Sequence, residues 1–272
     1  MKNIINWKLF IILTVVCVIT SFMVIPYTQA LTSSDIEFTP LMLILTGAQN
    51  LVVFSIAVFC GLFFSQKVGL GLPILEGALN GEKKGRQFLS ILLPSILLGI
   101  LPGVLIVIFS MGFDVLIPEF QALDISIPVW KAVLASFYGG IGEEVLLRLF
   151  LVSLFVWLTS LIMKTKDGRP TGFGICLAII ISAIVFGLGH LPATAYIVPL
   201  TQIVIIRALV LNGIGGIIFG LLYWKKGLES AIIAHFTADI VLHVVTPLVT
   251  PLVSPLVTPY VEPLMESLFN VI

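Results

Sequence analysis

Charge is scarce in this chain. Asp, Glu, Lys and Arg make up 10% of its 272 residues, where a soluble domain carries about 25%. Hydrophobic residues reach 59% and the mean hydropathy is +1.18. One water-soluble core cannot bury that much apolar surface, so a soluble fold is excluded. The formal net charge is zero, so neither nucleic acid nor an acidic partner is implied. Cysteine is also rare. Cys17, Cys60 and Cys176 lie in apolar stretches without CxxC spacing, which argues against a disulfide framework or a thiolate metal site. There is no HExxH, no catalytic cysteine and no serine in a nucleophile context.

What is present is a series of long apolar runs. Crossing a bilayer takes about 20 apolar residues, and seven segments qualify: Leu9–Tyr27, Leu41–Phe64, Phe88–Ser110, Val129–Met163, Gly172–His190, Thr201–Trp224 and Leu228–Val245. The fold class is therefore all-α, a polytopic membrane protein with about seven transmembrane helices and the lipid bilayer as its solvent. The first run resembles a signal peptide, with a basic start and a Thr28-Gln29-Ala30 end, but it is longer than the usual 7–15-residue core of one. It reads as a retained span. The fourth run, about 35 residues and roughly 52 Å as a straight helix, must tilt, project from the bilayer, or break near Gly139, Gly140 and Gly142.

Loop charges give an orientation. Lys2/Lys8, Lys67/Lys83/Lys84/Arg86, Lys164/Lys166/Arg169 and Lys225/Lys226 alternate with segments lacking Lys and Arg. By the positive-inside rule the N-terminus is cytoplasmic. The absence of eukaryotic sorting signals favours a prokaryotic cytoplasmic membrane. The sequence divides into an N-terminal three-span region (1–128), a core (129–245) and a proline-repeat tail (246–272). In that tail Thr246–Met265 repeats a Thr-Pro-Leu-Val-like unit every four residues, and proline at every turn argues against a regular helix. An extended, polyproline-like strand is expected there. Between the second and third spans, Gly69, Gly71, Pro73 and Gly77 leave room for a short helix at most.

Within these apolar runs lie a few ionisable residues, and such residues at bilayer depth are functional-site candidates by default. Glu143 and Glu144 are adjacent in the fourth span. Arg148 lies one turn beyond Glu144, so an ion pair is expected. Glu143 is rotated about 100° away on an α-helix and should face something else. His190 ends the fifth span; His235 and Asp239 share one face of the seventh. Glu143 lies 21 residues before Lys164 and His190 lies 21 after Arg169. Equal offsets on antiparallel neighbours put them at one height, where a carboxylate and an imidazole can share a water. That pair makes a general base, and a second imidazole with a polar side chain can stabilise an oxyanion. Two histidines with Glu and Asp are also acceptable zinc ligands, so zinc stays open although no cofactor is required. His243 reads as interfacial, and Arg207 has no assigned partner.

Glu-Glu-x-x-x-Arg, then Phe-x-x-x-His, then His-x-x-x-Asp, in this order on late spans, resembles the CAAX prenyl endopeptidase type 2 family, also called the CAAX protease and bacteriocin-processing (Abi) family of intramembrane glutamate proteases. The resemblance covers roughly residues 130–245. It implies that Glu143 activates water with His190, that His235 and Asp239 form the oxyanion site, that Glu144 and Arg148 support them, and that Phe186 packs its motif. It also implies a peptide or protein substrate, prenylated in the eukaryotic members. One departure is Asp239, where the eukaryotic members have Asn. An ionised Asp donates nothing to an oxyanion, so Asp239 must be protonated, bind a metal, or hold His235. The expectation is an intramembrane endopeptidase. The rivals are a non-catalytic self-immunity or partner-binding protein and a proton-coupled transporter. The last is disfavoured because no inverted repeat of broken helices is seen in the first half.

Overall fold

The structure is a computed structural model describing residues 5–32, 38–121 and 126–252. Among them are seven helices long and apolar enough to cross a membrane: Trp7–Leu31, Pro40–Val68, Gly85–Leu116, Val129–Ile162, Gly172–Ala195, Gln202–Lys226 and Leu228–Leu252. Each overlaps one expected span. The described residues contain no strand, only an isolated bridge between Lys164 and Pro170 in the turn joining the fourth and fifth spans. The protein is an all-α polytopic membrane protein. Large apolar side chains such as Ile44, Leu89, Leu93 and Ile162 point outward and stay exposed, which a protein in water would not tolerate in such number.

The span starts follow helix-capping chemistry. Asn6, Thr39, Thr171 and Thr201 each accept a backbone N–H three residues on, from Leu9, Met42, Gly174 and Val204, satisfying donors that would otherwise be orphaned. The first span is built into the core. Leu9, Leu13 and Cys17 pack in one buried cluster with Phe54 and Val58 of the second span, Val145 and Leu149 of the fourth, and Phe219 of the sixth.

Between apolar helices in lipid there is little hydrophobic drive to associate, so close backbone packing must supply it. Two glycine pairs four residues apart provide that packing. A Cβ on Gly216 would lie 2.7 Å from Ala183 Cβ, and one on Gly220 would lie 2.6 Å from Ile179 Cγ2. These contacts join the fifth and sixth spans. Gly99 and Gly103 do the same for the third and seventh, against Thr237 and Val241.

The fourth span neither stops nor breaks at its glycines. Tyr138–Glu143 and Val145–Val152 form π-helical turns within a continuous helix. Their i→i+5 bonding widens the turn and lowers the rise per residue, a feature frequent at functional sites. Part of the expected excess length is absorbed in this way.

The proline tail departs from expectation where it is described. Thr246–Leu252 continues the seventh helix through Pro247 and Pro251. A π turn at Val241–Val245 precedes the first proline and relaxes the region where its ring would meet the previous turn. The Thr246 and Thr250 hydroxyls donate back to the carbonyls of Val241 and Thr246 at 2.7 and 2.8 Å. The rest of the repeat, from 253 onward, lies outside the described residues.

The expected short helix is Pro73–Leu79. Its cap comes from a distant part of the chain: Glu229 Oε1 accepts the N–H groups of Ile74 and Leu75 at 2.9 and 2.8 Å, and Leu228 N donates to the Gly71 carbonyl at 2.9 Å. These bonds tie the start of the seventh span to the link after the second, which sets how far into the bundle the residues of the seventh span begin.

Gly216→Val is expected to destabilise the bundle by about 1–3 kcal/mol through overpacking. A lower thermal midpoint in detergent would register it, and an unchanged midpoint would contradict the close approach of the fifth and sixth spans.

Candidate active site

Arg148 is the largest fully buried side chain, and Glu144 beside it has no accessible side-chain surface. Arg148 Nη1 lies 2.8 Å from Glu144 Oε1, the i,i+4 pair expected from the sequence. The approach is off the N–H axis, so it counts as an ion pair and not as an aligned hydrogen bond. Nη2 donates to the Gly216 carbonyl at 3.2 Å. The guanidinium also lies 5.2 and 5.4 Å from the ring centres of Phe186 and Phe219. Two aromatic faces thus take up part of a charge that burial would otherwise penalise.

The same Glu144 oxygen reaches His235 Nδ1 at 2.7 Å. A carboxylate can only accept, so Nδ1 carries the proton and donates it, and Nε2 is turned toward the remaining polar groups. Phe219 stacks on the imidazole at 4.6 Å with 20° between the planes, and Phe186 meets it edge-on at 5.7 Å. His235 is thereby fixed in position, tautomer and tilt.

Around Nε2 stand two more carboxyls. Glu143 Oε2 is 3.7 Å away and Asp239 Oδ1 is 3.6 Å away. Both distances exceed hydrogen-bond length. The Glu143 and Asp239 side chains keep 21% and 14% of their surface accessible, whereas Glu144 keeps none. Gly139 leaves room here: a Cβ at this position would collide with the Asp239 carboxyl and lie 3.4 Å from His235 Nε2.

Five of the six expected residues therefore come together: Glu143, Glu144, Arg148, His235 and Asp239. Glu143 does not turn away from Glu144 as an α-helix would require. Glu143 ends a π turn and Glu144 follows it, and the two face the two nitrogens of one ring. His190 stands one ring further off. Its Nδ1 is 2.9 Å from the Phe186 carbonyl, and its ring meets Phe186 edge-on at 4.8 Å. Among the described residues no ion pair or hydrogen bond joins it to Glu143, and Phe186 touches both imidazoles. Asp239 Oδ1 stands 3.6 Å from His235 Nε2.

Phe219 and Gly216 were not legible as site residues, since Gly-Gly-Ile-Ile-Phe-Gly reads as ordinary apolar span. Their one signal is the i,i+3 spacing that puts them on one helix face. His243 is not simply interfacial: its Nδ1 lies 3.2 Å from the Tyr27 hydroxyl of the first span. Arg207 pairs with Asp114 at 3.2 Å and lies 4.2 Å from the Phe120 ring centre. Among the described residues, no group of three or more His, Cys, Asp or Glu side chains is gathered to hold a metal ion.

A bundle of apolar helices enclosing a carboxylate–imidazole–guanidinium cluster defines a polytopic membrane protein with a candidate hydrolytic centre. Residues 125–241 match the family model described as type II CAAX prenyl endopeptidase Rce1-like. The match covers a little under half of the chain and contains all six candidate residues. At the level of the family it supports a CAAX-type intramembrane protease. No curated protein and no solved structure matches the chain.

The unequal burial of the two glutamates separates their effects on stability. Glu144→Ala strands the buried Arg148 charge and is expected to cost about 3–5 kcal/mol. Glu143→Gln, at a partly exposed carboxyl, should cost less than about 1 kcal/mol. Thermal unfolding of both variants in one detergent checks this, and equal losses would contradict the assignment of Glu144 to the buried lock.

Proposed function

We propose that the cluster is the water-activating centre of an intramembrane endopeptidase. The observation that carries this reading is the contrast between two neighbouring carboxyls. Glu144 is sealed in and committed to Arg148 and His235, while Glu143 is reachable and faces His235 Nε2 at 3.7 Å. A base that works on water must be reachable; a group that orients a histidine need not be.

In this reading a water held beside Glu143 gives it a proton and attacks the carbonyl carbon of a peptide bond. The carbonyl oxygen becomes an oxyanion. His235 donates to it from Nε2 when doubly protonated, since both ring nitrogens are then donors. Asp239 holds that ring from the other side. The tetrahedral intermediate then collapses: the C–N bond breaks and Glu143 returns the proton to the leaving amine. His190 acts from beyond Phe186, with Nδ1 anchored on the Phe186 carbonyl and Nε2 available to water or substrate.

The substrate in this proposal is a membrane-bound peptide or protein cut near its C-terminus, with prenylation as the first feature to test. The N-terminus is cytoplasmic and the site opens to the cytoplasm. The bonds that join Gly71 to Leu228 support that topology, because they bring two basic-flanked links to the same end of the bundle.

The test is cleavage of a fluorogenic prenylated peptide library by the purified protein in detergent. Glu143→Gln should lower turnover by about 10²–10⁴-fold, the range of general base catalysis, and His190→Ala should abolish measurable cleavage, both with the protein still in the membrane fraction. Retained turnover in Glu143→Gln would sink the mechanism. Activity lost to a chelator and restored by zinc would instead recast these residues as metal ligands.

A further inference from the structure

The seventh span carries more polar side chains than water activation uses. His235, Asp239 and His243 follow one another at intervals of four residues, so they line one face of the helix. The line continues beyond the helix. Tyr27, from the end of the first span, places its hydroxyl 3.2 Å from His243 Nδ1 and its ring edge-on at 5.4 Å. Asp239 keeps 14% of its side-chain surface accessible, and His243 and Tyr27 are half-buried. The file is therefore closed at His235 and partly accessible from Asp239 onward. Gly139 offers only bare backbone beside Asp239, where a Cβ would collide.

Four residues of helix rise roughly 6 Å. An extended peptide advances roughly 6.6 Å in two residues, and its backbone groups facing one side recur at that interval. From His235 to His243 an α-helix would rise roughly 12 Å, the π turn at Val241–Val245 shortens this somewhat, and four extended residues cover roughly 13 Å. The two repeats therefore stay close over this length. A peptide entering the bilayer leaves water behind, and each unsatisfied backbone group then costs several kcal/mol. A file of side chains at this spacing supplies those partners.

We propose that the His235–Asp239–His243 face, ended by Tyr27, is a docking rail for the backbone of an extended peptide running from the hydrolytic centre toward the opposite end of the seventh span. The rail rests on the endopeptidase reading of the centre and adds a substrate conformation to it. In this arrangement His243 donates from Nδ1 to the Tyr27 hydroxyl, which leaves Nε2 as an acceptor for a peptide N–H. The substrate must be unfolded over about four residues on this side of the cut. Selection along the rail is by backbone groups every second residue, so it tolerates varied side chains.

The experiment is a backbone N-methyl scan of a farnesylated fluorogenic decapeptide, in which one amide donor is removed at a time. Hydrolysis by the wild type and binding to Glu143→Gln, read by fluorescence anisotropy, are measured in parallel. The expected result is an alternating pattern on one side of the cut, with every second methylation lowering kcat/KM about tenfold, the worth of one hydrogen bond. In His243→Leu the loss at the distal position should disappear. Tyr27→Phe, which removes only a hydroxyl, should weaken it, and His243→Gln should retain part of it. A scan without alternation, or one unchanged in His243→Leu, would overturn the rail and leave the protease reading standing. Alternating binding with no hydrolysis by the wild type would keep the rail and overturn the protease reading. Neither binding nor hydrolysis would overturn both.

Discussion

The site depends on one buried oxygen. Glu144 Oε1 meets Arg148 at 2.8 Å and His235 at 2.7 Å, and so joins the fourth span to the seventh in the middle of an apolar bundle. Three ionisable side chains with almost no access to solvent are stable only as a unit. Removing one leaves a charge or donor in a medium that cannot solvate it. Phe186 and Phe219 extend the unit to the fifth and sixth spans by covering the guanidinium. The four helices of the candidate centre are thus held in register by one polar contact and its aromatic walls. Gly139 and Gly140 let the fourth and seventh spans come close enough for it to form: a Cβ on Gly140 would lie 2.9 Å from Phe236 Cβ.

That lock also divides the labour between two adjacent residues. Neighbours on an α-helix point about 100° apart. Those of the fourth span have His235 between them, with Glu143 near Nε2 and Glu144 on Nδ1. One carboxyl is spent on orientation, and the other is left beside an accessible space. Of the buried side-chain atoms without a hydrogen-bond partner, Glu144 Oε2, Arg148 Nε and Arg148 Nη1 lie in the lock itself. Incomplete polar pairing of this kind is expected where function outweighs stability.

The architecture was largely legible because lipid imposes simple rules on composition. Apolar length marks seven spans, and ionisable residues inside them mark the centre, since nothing else justifies them there. The Glu144–Arg148 pair followed directly from spacing. Three things were not legible. The π turns are a backbone response to packing between helices and leave no clear pattern beyond Gly139, Gly140 and Gly142. Helical rotation alone turns Glu143 to another face, and equal height alone puts His190 beside it, without the ring of Phe186 that touches both imidazoles. Phe219 and Tyr27 are ordinary span residues by type, and only tertiary contact gives them partners. The helical start of the proline repeat failed for a further reason. Proline removes a donor wherever it sits, but a preceding wide turn can accommodate its ring, and that depends on context.

The fold thus explains how a charged centre exists inside lipid: its charges are paired before they are used. In the proposed mechanism, water activated by Glu143 attacks the substrate directly. Single-turnover hydrolysis of a farnesylated peptide in ¹⁸O-water, followed by mass spectrometry of both product and protein, tests it most directly. The account predicts one ¹⁸O in the new product carboxylate and none in Glu143. Label found in Glu143 would mean that this carboxylate attacks the substrate itself, and would contradict the account.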